Sequence, residues 1–286
     1  MIKPSFDIIN NIFDSIPTKD KHNCGNNIPP TLLYNEGWML RLVLYWFKKN
    51  SKADSLLIPF YNGSHWFSEG RLETIFVRKK KLTIGEGYTV ADGVYGNISI
   101  GTQDAQNKGK NIIAKGISDI RLKEDCRQFV AIEAKMFSGF SKGVKNASSF
   151  NQVARYIACM AYVVSKSEAN LNVINDLAFY AFLPDCQIAK TGIKKLMCKE
   201  HILKTVKDRI TGYNKDKPHQ EIDEWFTIHF EPFLKKLKLK ILSWEEILDY
   251  IHGFDEESYS SFNEFYKLCL YYNRNNPNDT VDRDIL

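Results

Sequence analysis

Apolar positions in this chain fall into three textures, and their order predicts an α/β protein. Between Leu32 and Lys49, the residues Trp38, Leu42, Tyr45 and Trp46 recur near helical spacing, with Glu36 in the first turn, and predict a helix. A similar stripe of Leu72, Ile75 and Phe76, behind a capping serine, predicts a second helix over Ser68 to Val77. From Lys81 to Ile100 the texture changes to Thr, Val, Tyr, Ile and Gly, which favours strands and tight turns. Ile117 to Leu122 reads as a further strand. Gln128 to Ala134 is nearly continuous in apolar residues, which indicates burial on both faces and a central position in a sheet.

The second half repeats the alternation. Gly139 and Gly143 bracket a loop, and Ser148 or Ser149 can cap a helix from about Phe150 to Val164, with Val153, Tyr156, Ile157 and Met160 on its apolar face. Leu177 to Leu183, stopped by Pro184, is the next central strand. Helices are predicted at Gln187 to Ile210 and around His219 to Phe230, followed by a half-exposed strand in which Leu237, Leu239 and Ile241 alternate with lysines. Ser243-Trp244-Glu245-Glu246 is a capping box that opens a helix from Trp244 to Ile251, and Tyr259 to Tyr272 closes the pattern as a helix before a polar tail after Asn273.

Composition narrows the class. With 286 residues, 44% hydrophobic and 13% aromatic, the chain can fill a substantial core. An N-terminal helix and an Asn-, Lys- and Pro-rich loop occupy residues 1–30, ahead of the main domain at 31–286, whose helical elaboration begins at about residue 187. The longest uncharged apolar run, Tyr156 to Val164, is far short of the roughly 20 residues a membrane helix needs, and Met1-Ile2-Lys3-Pro4 opens no signal-peptide pattern. A soluble, cytoplasmic protein without a membrane partner is expected. Cys24, Cys126, Cys159, Cys186, Cys198 and Cys269 are scattered, which argues against both a disulfide framework and a structural zinc. The net charge of +5 is compatible with a polyanionic partner, and the densest basic runs are Arg78 to Lys81 and Lys235 to Lys240. Zinc-hydrolase histidine patterns and Gly-rich phosphate loops are missing from the sequence.

The chemistry concentrates at the end of the Gln128 to Ala134 strand. Glu133 and Lys135 stand at i and i+2, so strand geometry points both to one face of the sheet. An ordinary ion pair at a strand end is the bland alternative. Context adds to the pair: Asp92 lies upstream in Thr89-Val90-Ala91-Asp92-Gly93-Val94, and Gln152 and Tyr156 follow in Gln-x-x-x-Tyr spacing on the next helix. Together these residues resemble the PD-(D/E)XK nuclease superfamily over roughly Glu36 to Pro184, although no proline precedes the acidic residue.

The resemblance implies a restriction-endonuclease-like mixed central sheet flanked by helices, with extra helices at both ends. It also implies a Mg²⁺- or Mn²⁺-dependent hydrolysis of phosphodiester bonds, with DNA preferred over RNA, in restriction or antiviral defence. Asp92, Glu133, Lys135 and Gln152 would be catalytic. Asp92, Glu133, the carbonyl of Ala134 and a helical acid, Glu69 in preference to Glu36, would hold the metal. Asp119 competes with Asp92 for the upstream acid. Lys142 and Arg155 are candidate phosphate contacts, and targeting would come from a partner protein or a homodimer. A catalytically inactive subunit that binds nucleic acid or scaffolds a complex is the alternative reading. Removal of Lys135 is expected to abolish cleavage and leave folding largely intact.

Overall fold

The apolar runs become the strands of one sheet in the computed structural model, which describes residues 30–51, 56–76, 85, 89–101, 118–143, 147–215 and 220–273. The strands are β1 (His65–Leu72), β2 (Thr89–Gly96), β3 (Ile98–Gly101), β4 (Ser118–Leu122), β5 (Gln128–Ala134), β6 (Asp176–Leu183) and β7 (Lys238–Ser243). They form a seven-stranded sheet in the order β3-β4-β1-β2-β5-β6-β7. The pairs β1–β2, β2–β5 and β3–β4 are antiparallel, whereas β1–β4, β5–β6 and β6–β7 are parallel. Every residue of β5 and β6 is buried, as their unbroken apolar runs require. β7 ends the sheet, and its half-exposed lysines discourage a further strand from pairing there.

Helices cover both faces. On one side, α1 (Glu36–Lys49) packs with two C-terminal helices, referred to below as the Trp244–His252 and Glu256–Asn273 helices, around Leu40, Leu44, Val130, Ile132, Tyr180 and Trp244. On the other, α2 (Gln152–Ser165) and α3 (Lys199–Asn214) close over Val94, Phe129, Ala131 and Phe179. α1 lies against β2 at Gly93, where a Cβ would stand 3.0 Å from a Leu40 methyl, so a larger residue would lift the helix off the sheet. Side-chain caps fix the helix starts: Asn35 accepts from Trp38 N at 3.0 Å, and Ser243 accepts from Glu246 N at 2.9 Å, the serine half of the predicted capping box.

Several expectations are corrected. The helix expected over Ser68 to Val77 is absent from its described residues, 68–76: they begin in strand β1, and Glu69 is therefore a strand residue. The strand was concealed because its alternation changes phase at Glu69. Ser68 points towards α1, where its hydroxyl accepts from Arg41 Nε at 3.0 Å, while a side chain at Gly70 would meet Ile120 and Val94 on the opposite face. The cap of α2 is Asn151, which accepts from Ala154 N at 3.0 Å, and not a serine before it. The stretch from Gln187 to Ile210 breaks into Asp185–Lys190, Ile193–Leu196 and α3, with Gly192 in the left-handed region at φ 65°.

Around His219 to Phe230, a helix at Gln220–Trp225 passes into a π-turn at Phe226–Phe230 just before Pro232, whose missing N–H disfavours regular α-helical bonding. In α1 the buried face is Met39, Leu40, Leu42, Val43, Leu44, Trp46 and Phe47, while Trp38 and Tyr45 are exposed. The N-terminal helix and loop, the Arg78 to Lys81 run and the tail after Asn273 lie outside the described residues. Among the described residues, no helix is long and apolar enough to cross a membrane.

Candidate active site

Pairing between β2 and β5 runs from Gly96–Phe129 to Gly93–Ile132 and stops there, while β5 continues through Glu133 and Ala134 alongside β6. The two strands fork one residue before Asp92 and Glu133. Asp92 spans the fork: its Oδ2 accepts the backbone N–H of Ala134 at 2.8 Å. Glu69 faces Asp92 from β1, because Ser68 pairs with Gly93 and Gly70 with Ala91. Its φ of 59° is the one left-handed value among the described non-glycine residues, a conformation that costs roughly 1–3 kcal/mol and clusters at functional sites.

Glu133 is almost fully buried, at 1% exposure. Its Oε1 accepts the ammonium of Lys135 and the side-chain amide of Gln152, whereas Oε2 has no hydrogen-bond partner. Gln152 opens α2 and is held from behind, its Oε1 accepting from Ser141 N at 2.9 Å. The backbone of Lys135 is pinned on two sides, with its N–H on Phe182 O at 2.8 Å and its carbonyl accepting from Trp244 Nε1 at 2.9 Å. Tyr156, one turn along α2 from Gln152, donates its hydroxyl to Val90 O and lies beside Glu133.

The electrostatics follow from crowding carboxylates in a poorly solvated place. Burial, followed by repulsion from Glu133, pushes the Asp92 carboxyl well above its usual range, with Lys135 and the Ala134 N–H pulling the other way. Burial also raises Glu69, against the pull of Arg41. For Lys135, burial favours the neutral amine, but Glu133 and Asp92, helped by Glu36, outweigh it and hold the ammonium above its ordinary value. Tyr156 is driven strongly upward by burial and by both carboxylates, so its hydroxyl remains a donor.

Of the residues singled out in the sequence, Asp92, Glu133, Ala134, Lys135, Gln152 and Glu69 converge at the fork. Asp119 does not join them. It lies on β4 beside Arg71 of β1 and is paired with that guanidinium through both carboxylate oxygens. Glu36, in the first turn of α1, is near enough to act on the charge of Lys135. Lys142 is exposed on the loop next to Ser141, and Arg155 is half-buried on α2 with its Nε unpartnered. Sequence reasoning missed Arg41, Ser141 and Trp244. No local pattern marks any of them, since each acts through a contact 11 or more residues distant.

The donor set at the fork is one of hard carboxylate oxygens, the kind that suits Mg²⁺ or Mn²⁺. No group of three His, Cys, Asp or Glu side chains among the described residues is spaced to close around a metal ion as it stands. Instead the Lys135 ammonium is the positive charge that the carboxylates share. The residues nevertheless fit a cation in donor type, and the buried, unpartnered Oε2 of Glu133 is an acceptor left over for one. Compared with known proteins, the chain matches no family model, and neither the curated proteins nor the solved structures yield a match.

Proposed function

We propose that this protein is a metal-dependent nuclease of the PD-(D/E)XK type, hydrolysing phosphodiester bonds of nucleic acid, DNA in preference to RNA. The observation that carries the reading is the convergence of Asp92, Glu133, Lys135 and Gln152 on one strand fork, with a buried carboxylate oxygen left without a partner. A purely structural ion pair would not call for a second buried carboxyl and a strained glutamate beside it.

Asp92 and Glu133, with Glu69 and the carbonyl of Ala134, would hold Mg²⁺ or Mn²⁺. The metal supplies a water of lowered pKa and positive charge opposite the phosphate. Lys135, fixed through its own backbone and through Glu133, presents an ammonium to a non-bridging phosphate oxygen and stabilises the charge that develops there. Gln152, anchored by Ser141, keeps the Glu133 carboxylate in one orientation. The half-buried Arg155 on α2 and the exposed Lys142 supply guanidinium and ammonium donors for flanking phosphates. Restriction or antiviral defence in the cytoplasm is the setting we infer, with targeting by a partner protein or a homodimer.

The test is incubation of the purified protein with plasmid, linear and single-stranded DNA and with RNA, in Mg²⁺, Mn²⁺ or EDTA, beside Glu133→Ala. Metal-dependent cleavage that disappears in the variant supports the reading. Failure to cleave any substrate in any metal, with binding retained, rejects it in favour of a non-catalytic nucleic-acid-binding subunit.

A further inference from the structure

Trp38 and Tyr45 are large apolar side chains left exposed on α1, at 39% and 41%, in a helix whose remaining apolar residues are largely buried. Seven residues apart, they lie on nearly the same side of the helix, about 10 Å from each other along its axis. Arg41 sits between them, three residues after Trp38 and four before Tyr45, and its guanidinium lies 5.1 Å from the centre of the Trp38 ring. The same guanidinium reaches the fork: Nε donates to Ser68 Oγ at 3.0 Å, and NH2 stands 3.8 Å from Glu69, the residue opposite Asp92. An aromatic, arginine, aromatic row therefore runs directly from the carboxylates along the outside of α1.

This combination is more than a solvated helix face requires. Exposed aromatic rings offer flat surfaces on which any unpaired base can stack, and an arginine beside them offers a phosphate contact. In a duplex the bases are already stacked on one another, so the rings would gain little from them. The row spans about three bases at a stacked spacing of about 3.4 Å.

We propose that the Trp38–Arg41–Tyr45 face of α1 is a rest for an unpaired nucleic-acid strand, with a base stacked on Trp38 and Arg41 on a phosphate close to the scissile one. The proposal rests on the nuclease reading for the position of the scissile phosphate, and it adds the substrate class: single-stranded nucleic acid, or a duplex frayed at the point of attack. On this view Glu69 holds Arg41 in place in the substrate-free protein, and a phosphate takes over part of that contact when the strand arrives.

Binding of a labelled single-stranded 15-mer and of the matching duplex, measured by fluorescence anisotropy, tests it. The full chain is used with Mg²⁺ in a Glu133→Gln background that leaves strands uncut. Trp38→Leu should weaken single-strand binding about tenfold or more, the loss of one stacked base, and change duplex binding less than about twofold. Trp38→Phe should fall between the two, and Arg41→Ala should reduce the salt dependence of binding by about one phosphate contact. Circular dichroism checks that each variant is folded.

Single-strand affinity unchanged in Trp38→Leu overturns the proposal, as does equal weakening for both substrates. Cleavage with otherwise wild-type protein separates it from the reading beneath it. If Trp38→Leu binds single strands like its parent while metal-dependent cleavage persists, the strand rest is wrong and the nuclease stands. If single-strand binding depends on Trp38 but nothing is cut, the rest stands and the nuclease falls.

Discussion

The carboxylate of Asp92 accepts the backbone N–H of Ala134 at 2.8 Å, across the point where β2 and β5 cease to pair. A side chain thus takes over a donor that a strand backbone would otherwise satisfy. This keeps the fork open without leaving the N–H of Ala134 unpaired. The cost is a carboxylate facing Glu133 and Glu69 in a poorly solvated site.

That cost is measurable. Burial and the neighbouring carboxylates raise the Asp92 carboxyl well above its ordinary value, so the folded chain binds its proton more tightly than the unfolded chain does. Stability from this group is therefore fully present below the unfolded carboxyl range near pH 4 and is lost as pH rises through the raised folded value. Asp92→Asn, which still offers an oxygen to Ala134, should raise the metal-free melting temperature at pH 8 by about 2–4 °C, and by less at pH 5. Melts in EDTA at both values check this. Under the proposed function the same variant should lose metal-dependent cleavage, and Mg²⁺ or Mn²⁺ should raise the melting temperature of the wild type but not of the variant.

Lys135 is more deeply tied into the fold than its sequence position implies. Its ammonium pairs with a carboxylate that is 1% exposed, so Lys135→Ala strands a buried charge and should destabilise the metal-free protein by about 3–5 kcal/mol. This revises the expectation from sequence that folding would be left intact. Adding Glu133→Gln to Lys135→Ala should recover a large part of the loss, because no buried charge then remains at either position. Urea unfolding of both variants decides it, and equal stability of the single and double variants would show that the pair is not coupled.

The parts of the fold legible in the sequence were those with an uninterrupted pattern. β5 and β6 declared themselves through apolar runs, and Ser243 through a capping box. Glu133 and Lys135 were legible because strand spacing alone puts them together. β1 was not, because the left-handed Glu69 reverses which residues face α1 halfway along it, and a period-two pattern with a reversed phase resembles a helical stripe. Glu69 was therefore placed at the site for the wrong structural reason. Which of Asp92 and Asp119 stands beside Glu133 is set by strand order, which juxtaposes β2 with β5 and leaves β4 beside β1. No local pattern carries that information.

Asp119 and Asp92 should separate cleanly when mutated. Asp119 holds Arg71 across β4 and β1, and both side chains are largely buried. Asp119→Asn should cost about 3 kcal/mol of stability, at the low end for a broken buried pair because asparagine still accepts a hydrogen bond. Its cleavage rate per folded molecule, measured well below its melting temperature, should match the wild type. Loss of metal-dependent cleavage in folded Asp119→Asn would move the site to β4.

Glu69 offers a test that distinguishes strain from function. Its φ of 59° is penalised for any side chain with a Cβ and free for glycine. Glu69→Ala keeps the penalty and removes the carboxylate, whereas Glu69→Gly removes both. Glycine should therefore be more stable than alanine here by about 1 kcal/mol, the reverse of the usual order in a strand, where glycine costs entropy and packing. Both variants should lose cleavage to the same extent, since each lacks the oxygen donors facing Asp92. If alanine were instead the more stable, the left-handed backbone would not be a property of the folded protein. If both variants cut like the wild type, Glu69 would be a strained residue without a part in holding the metal, and Asp92 and Glu133 would have to hold it with the carbonyl of Ala134 alone.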